Sequence, residues 1–174
     1  MISVIRLRNL ENFVRLLIPY LFLVLLIVLS VIKLPVPQIG EVKPYLVLMA
    51  IYYWSIYRPT LIPPLSCFLI GLIIDILSGV PLGLNAFILV GTHWIVRDQR
   101  RFLTGQPYIT IWAGFGLVAI ASCAWQWGLI GLIKLNWGSA VPGLITVVLS
   151  LFMFPFITLL LNLTHRLLPI ASRP

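Results

Sequence analysis

Along this chain, long runs of Leu, Ile, Val and Phe are broken by short segments that carry nearly every charge. Crossing about 30 Å of hydrocarbon takes about 20 helical residues, and the runs are of that order. They predict membrane-spanning helices over 16–34, 44–57, 60–77, 82–96, 108–133 and 140–164. Residues 1–15 mix Arg6, Arg8 and Arg15 with Ile2, Leu7, Leu10 and Val14 at near-helical spacing, which suits a cytoplasmic, interfacial segment. Residues 165–174 make a short tail. The first run exceeds the apolar stretch of a signal peptide, and Lys33-Leu-Pro-Val-Pro37 follows it where a cleavage site would need small residues. It is therefore expected to be an uncleaved span. The second run is short: Pro44 to Tyr57 covers about 21 Å as a helix, so it either crosses or dips in.

Charge separates those two possibilities. With six crossings and a cytoplasmic N-terminus, the inner side receives all nine Arg, including Arg58 and the cluster Arg97, Arg100 and Arg101, while the outer side receives Lys33, Lys43 and Lys134. Nine against three is the positive-inside pattern. A re-entrant second or fourth run would move Arg58 or the cluster outside. The expected fold is accordingly all-α: one polytopic domain, 1–174, of six transmembrane helices with both termini cytoplasmic.

Composition agrees. The 174 residues are 61% hydrophobic and 9% charged, whereas soluble domains carry about 25% charged residues. The formal net charge of +8 does not imply nucleic acid, because a nucleic-acid module needs a solvated basic face with polar or aromatic readers around it, and here the Arg residues sit in short clusters between apolar runs. Nine Arg less Glu11 and Asp98 leave +7 inside, and three Lys less Glu41 and Asp75 leave +1 outside. The excess is mostly an orientation signal. Cys67 and Cys123 both fall within apolar runs and read as small packing residues.

Tyr53, Trp54, Tyr57, Trp94, Tyr108 and Trp112 fall at predicted inner ends, and Tyr45, Trp125, Trp127 and Trp137 towards outer ends, as interfacial belts would. The small residues of the fifth run, Ala113 to Ala124, suggest close packing and a central position. Pro155 frees one backbone carbonyl and should kink the sixth helix near Leu151 unless a neighbour satisfies it. No nucleophile with its base, zinc spacing, P-loop or dinucleotide fingerprint occurs. An enzyme is not expected, nor a cofactor or metal.

Asp75 is the only acidic residue inside a predicted span. Cys67, Gly71, Asp75 and Ser78 recur at helical spacing and form one small, polar stripe. Gly79, Pro81 and Gly83 then define a tight reversal into the fourth run, where Asn85 and Thr92 share a face beside His93. Asp75 lies about 25 Å of helix beyond Arg58, near the outer interface. There it is expected to accept hydrogen bonds from the turn's N–H groups or from Asn85, or else to hold a partner or ligand or to couple to protons.

The stretch with Gly71, Asp75, Gly79, Pro81, Leu82, Gly83, Asn85 and Ala86 resembles the MreD rod shape-determining family, as do the length, the six runs, the basic start and the Arg cluster after the fourth run. The resemblance implies a non-enzymatic component of the bacterial inner membrane. It would act in cell elongation and lateral peptidoglycan synthesis, bind MreC, and connect directly or indirectly with MreB, RodA and a class B penicillin-binding transpeptidase. The family's shape also looks like the substrate-binding subunits of energy-coupling-factor transporters. A vitamin-type transporter subunit is the alternative function, although the first run contains no alanine for the Ala-xxx-Ala docking surface common there. The candidate partner-binding or structural set is Gly71, Asp75, Gly79, Pro81, Gly83 and Asn85, and Arg97, Arg100 and Arg101 form a cytoplasmic cluster facing anionic lipid or an acidic protein surface.

Overall fold

A computed structural model describes residues 20–30, 34–36, 40–135 and 138–167. The basic segment 1–15, Lys33, Trp137 and Arg173 lie outside the described residues. Helix α1 covers Tyr20–Ser30. A short antiparallel ribbon then pairs β1 (Leu34–Val36) with β2 (Gly40–Val42). Helices α2 (Leu46–Tyr57), α3 (Pro64–Ser78), α4 (Leu84–Asp98), α5 (Arg100–Leu103), α6 (Tyr108–Lys134) and α7 (Val141–Leu167) follow. Each of the six predicted runs holds one long helix. The ribbon is the departure from an all-α chain; Pro35, in β1, bars continuation of a helix there.

Most of the long helices bury one stripe. In α1 it is Leu23, Leu26, Ile27 and Ser30; in α3 Cys67, Ile70, Gly71, Ile74 and Asp75; in α7 Val147, Ser150, Phe154, Ile157 and Leu161. Their outward faces stay apolar, with Leu21, Leu65, Ile76, Leu117, Phe152 and Phe156 all exposed. Inside, by contrast, lie Ser55, Asp75, Thr92, His93, Ser122 and Ser150. A surface this apolar around a polar-spotted interior fits a lipid solvent, since water would penalise so large an apolar exterior. Helix α6 and the Val141–Leu163 part of α7 are long and apolar enough to cross a membrane.

The central helix is α2, where every residue from Leu46 to Ile56 is buried and where α4, α5 and α7 all pack. This corrects the expectation for the fifth run. Helix α6 buries Ile111, Phe115, Ala119 and Ser122 along one side and leaves the other exposed. Its small residues serve approach on that one side: a Cβ at Gly114 would stand 2.6 Å from Tyr52 Oη, and one at Gly116 3.2 Å from Leu151 Cδ2. Tyr52, Phe115 and Phe154 fill the junction of α2, α6 and α7, with Phe115 and Phe154 stacked at 4.4 Å.

The belt reading also needs correction at two aromatics. Tyr53 and Trp54 are core residues, because α2 is surrounded by protein, whereas Trp94, Tyr108, Trp112, Trp125 and Trp127 are exposed. Both cysteines are free thiols, Cys67 buried and Cys123 half-buried. Helix α7 continues through Pro155, and the Leu151 carbonyl that the proline leaves without its helical donor accepts the Trp112 indole N–H at 3.0 Å. The neighbour needed to satisfy that carbonyl is therefore present.

Helices α3 and α4 make the closest pairing. A Cβ at Gly71 would overlap the Ala86 backbone, whereas Gly128 has open space around it. Gly71→Ala should therefore destabilise by about 1–3 kcal/mol through overpacking, while Gly128→Ala should be neutral or stabilise by up to about 1 kcal/mol through helix propensity. Thermal unfolding of the two variants in one detergent checks this, and equal melting would refute the close approach.

Candidate functional site

The site starts at the end of α3. Gly79 adopts φ 65°, a left-handed conformation that suits glycine. Val80 N–H then donates to the Asp75 carbonyl at 3.2 Å and Gly79 N–H to the Ile76 carbonyl at 3.3 Å. These two bonds make a Schellman ending, which satisfies carbonyls that a helix C-terminus would otherwise strand. Pro81 turns the chain, and Gly83, at φ 95°, precedes the first residue of α4 without any side-chain cap of its own.

Asp75 supplies the missing cap from the neighbouring helix. One carboxylate oxygen accepts the Gly83 N–H at 2.8 Å, and the other accepts the Asn85 N–H at 2.9 Å and the Asn85 side-chain amide at 2.7 Å. The carboxylate has no exposed surface. Its negative charge lies at the positive end of the α4 dipole, which favours it. The turn N–H groups and the Asn85 side chain, the two kinds of donor expected for Asp75, both reach the carboxylate.

The network extends beyond the hairpin. Asn85 Oδ1 accepts from Gln126 Nε2 at 3.0 Å, and Gln126 Oε1 accepts from Tyr45 Oη at 3.0 Å. Tyr45 N–H donates to Ser150 Oγ at 2.9 Å, and that hydroxyl donates to the Thr146 carbonyl at 2.7 Å. One chain of polar contacts thus joins α3, α4, α6, the start of α2 and α7. Beside it, Lys43 Nζ donates to Ser78 Oγ at 2.9 Å. A cavity of about 190 Å³ adjoins this chain, with Tyr45, Asn85 and Gln126 at its polar edge and Ile74, Leu84 and Ile88 among its apolar walls.

The structure brings Gly71, Asp75, Gly79, Pro81, Gly83 and Asn85 together, in two layers. Gly71 and Asp75 are buried and Asn85 and Gly83 half-buried, whereas Gly79, Pro81 and the intervening Leu82 are exposed. Gln126, Tyr45 and Ser150 were not anticipated. A signal for Gln126 existed, as it is the one side-chain amide between Tyr108 and Lys134, and an intramembrane polar group needs a partner.

The Arg cluster lies at the opposite end of α4. Arg97, Arg100 and Arg101 are all exposed, and Arg100 Nε donates to the Ile56 carbonyl at the end of α2 at 2.9 Å. Near that end of α4, Ser55 Oγ and His93 Nδ1 lie 2.9 Å apart. Each of those two residues is 1% exposed, and the Ser55 hydroxyl is also 2.6 Å from the Ile51 carbonyl. The pair is enclosed in the core, and among the described residues the other ring nitrogen, His93 Nε2, has no hydrogen-bond partner. Among the described residues no His, Cys, Asp or Glu group of metal-binding size occurs.

Removing the Asp75 acceptors tests the cap. Asp75→Ala leaves three donors without partners in an apolar setting, at about 1–3 kcal/mol each, and should cost far more stability than Asp75→Asn, which keeps one acceptor oxygen. Urea or thermal unfolding of the two purified variants should rank wild type above Asn and Asn well above Ala. Equal stability of the Ala variant and wild type is the contrary result.

Neither a curated protein nor a solved structure matches the chain. The family described as rod shape-determining protein MreD matches residues 11–164, a stretch that contains the Asp75 hairpin, every partner in its network and the Arg cluster. With most of its length matched and an apolar exterior around a polar-spotted interior, this integral membrane protein belongs to the MreD family of rod shape-determining proteins.

Proposed function

We propose that this protein is a non-enzymatic, multi-pass component of the bacterial inner membrane that binds MreC. Through MreC it would act with MreB, RodA and a class B penicillin-binding transpeptidase in lateral peptidoglycan synthesis and cell shape. Family membership supports the shape role. One observation carries the contact site: a buried carboxylate holds a turn whose outermost residues, Pro81 and Leu82, are exposed, Leu82 by 70%. A rigid apolar corner costs little entropy to dock against a single transmembrane helix.

Leu82 makes the cleaner test, because its side chain is exposed and takes no part in the Asp75 bonds. Leu82→Ser should leave insertion and stability unchanged, reduce co-purification of MreC, and round the cells when it replaces the native protein. Rod-shaped cells with full MreC association would remove the turn from the contact. Depletion of the wild-type protein addresses the role itself: rounding supports elongation. A nutrient requirement with unchanged shape would favour the transporter subunit, a reading for which the 190 Å³ cavity is the supporting feature.

The proposed topology has six crossings with both termini inside, in the shape expected of energy-coupling-factor binding subunits. The segregation of nine Arg from three Lys supports it. In a variant whose native Cys67 and Cys123 are replaced by Ala, a cysteine at Leu82 should react with a membrane-impermeant maleimide in intact cells. One at Gln99 should react only after permeabilisation, and the reverse pattern would invert the topology.

A further inference from the structure

The α2–α3 loop and the α4–α5 corner enclose a hollow of about 700 Å³, lined by Pro59, Thr60, Trp94, Arg97, Asp98, Arg100 and Arg101. Three guanidiniums and one carboxylate give it a net charge of +2. Arg100 is not a free surface group: its Nε–H is committed to the Ile56 carbonyl, one of the acceptors left over at the end of α2. The central helix thereby anchors its guanidinium at the hollow by Nε–H, which leaves the four Nη–H donors outside that bond. Arg97 and Arg101 flank it, both exposed.

The surroundings favour a lipid over a protein. Trp94 lines the hollow at 75% exposure, and its ring suits the junction of acyl chains and headgroups; Ile95 and Phe102, neighbours in sequence of Trp94 and of the lining residue Arg101, are 58% and 61% exposed. An acidic soluble surface would have to cover these apolar groups as well as match the charge. Arginine forks pair bidentately with phosphate oxygens. The Asp98 carboxylate and Thr60 hydroxyl add acceptors that a phosphate lacks use for but a hydroxylated headgroup can donate to.

We propose that this hollow is a site for one anionic phospholipid with a hydroxyl-bearing headgroup, of the phosphatidylglycerol type. The phosphate is held by Arg97, Arg100 and Arg101, and the headgroup hydroxyls by Asp98 and Thr60. The proposal is independent of the shape role and rests only on this end of α4 lying at a membrane surface.

The test is native mass spectrometry of the full chain released from nanodiscs of equimolar phosphatidylglycerol and phosphatidylcholine. Wild type should retain one phosphatidylglycerol in marked preference to phosphatidylcholine. The double variant Arg97→Ala with Arg101→Ala should lose that retention roughly thirtyfold, the weight of two basic groups near an anionic headgroup. Arg97→Lys with Arg101→Lys keeps the charge and the orientation signal but loses the forks, and should show a smaller loss. Equal retention of both lipids by wild type, or undiminished preference in the Ala double variant, overturns the site. Displacement of the lipid by inorganic phosphate at matched ionic strength would reassign the site to free phosphate. Binding of a poly-glutamate peptide without any lipid preference would reassign it to an acidic protein.

Discussion

Water cannot supply the acceptors that the first turn of a helix lacks where that turn is buried, and α4 begins without a capping side chain of its own. Asp75 answers that deficit from the last turns of α3. Its two oxygens take up three donors from Gly83 and Asn85, so α3 and α4 cannot part or slip by a turn without stranding all three. The carboxylate reaches them only because the helix axes come close, and they come close because Gly71 has no side chain to meet Ala86. The glycine and the aspartate, one turn apart, are two halves of a single constraint.

Once the Asn85 amide is held, its oxygen is oriented towards Gln126, and the rest of the polar chain follows to Tyr45 and Ser150. Each step crosses to a different helix. Apolar contacts give little preference for one helix register over another when lipid is as apolar as the core, whereas hydrogen bonds between helices are directional. The buried polar chain therefore specifies the arrangement. What the exterior offers is shape at the exposed Gly79–Gly83 turn and charge at the Arg97–Arg101 end.

The helices were legible in the sequence because run length alone defines them, and Asp75 with Asn85 was legible because the pair is ten residues apart across one turn. The rest of the network was not, since Gln126 lies 41 residues from Asn85 and Ser150 lies 105 from Tyr45. Hydropathy also cannot distinguish a helix wrapped by protein from one wrapped by lipid. Helix α2 is apolar on every side, so nothing in its pattern announced that Tyr53 and Trp54 are core residues. The small residues of α6 misled for a related reason: they reveal that something approaches closely, not from how many sides. Trp112 shows the converse, a residue read as interfacial that is exposed yet also completes the hydrogen bonding of Leu151.

The shortness of α2 acquires a physical sense from its burial. Twelve residues span about 18 Å, well under a hydrocarbon thickness of about 30 Å. A lipid-facing helix of that length would force the bilayer to thin. Helix α2 meets protein all round, so its ends need only match its neighbours. At one end Tyr45 donates to Ser150, and at the other Arg100 takes the Ile56 carbonyl. At each end one backbone group is thus held by a side chain from α7 or α5, which lessens the need of a short apolar helix for water at its ends. In the proposed six-crossing arrangement the second run could cross at this length because the bundle, rather than the lipid, is its solvent.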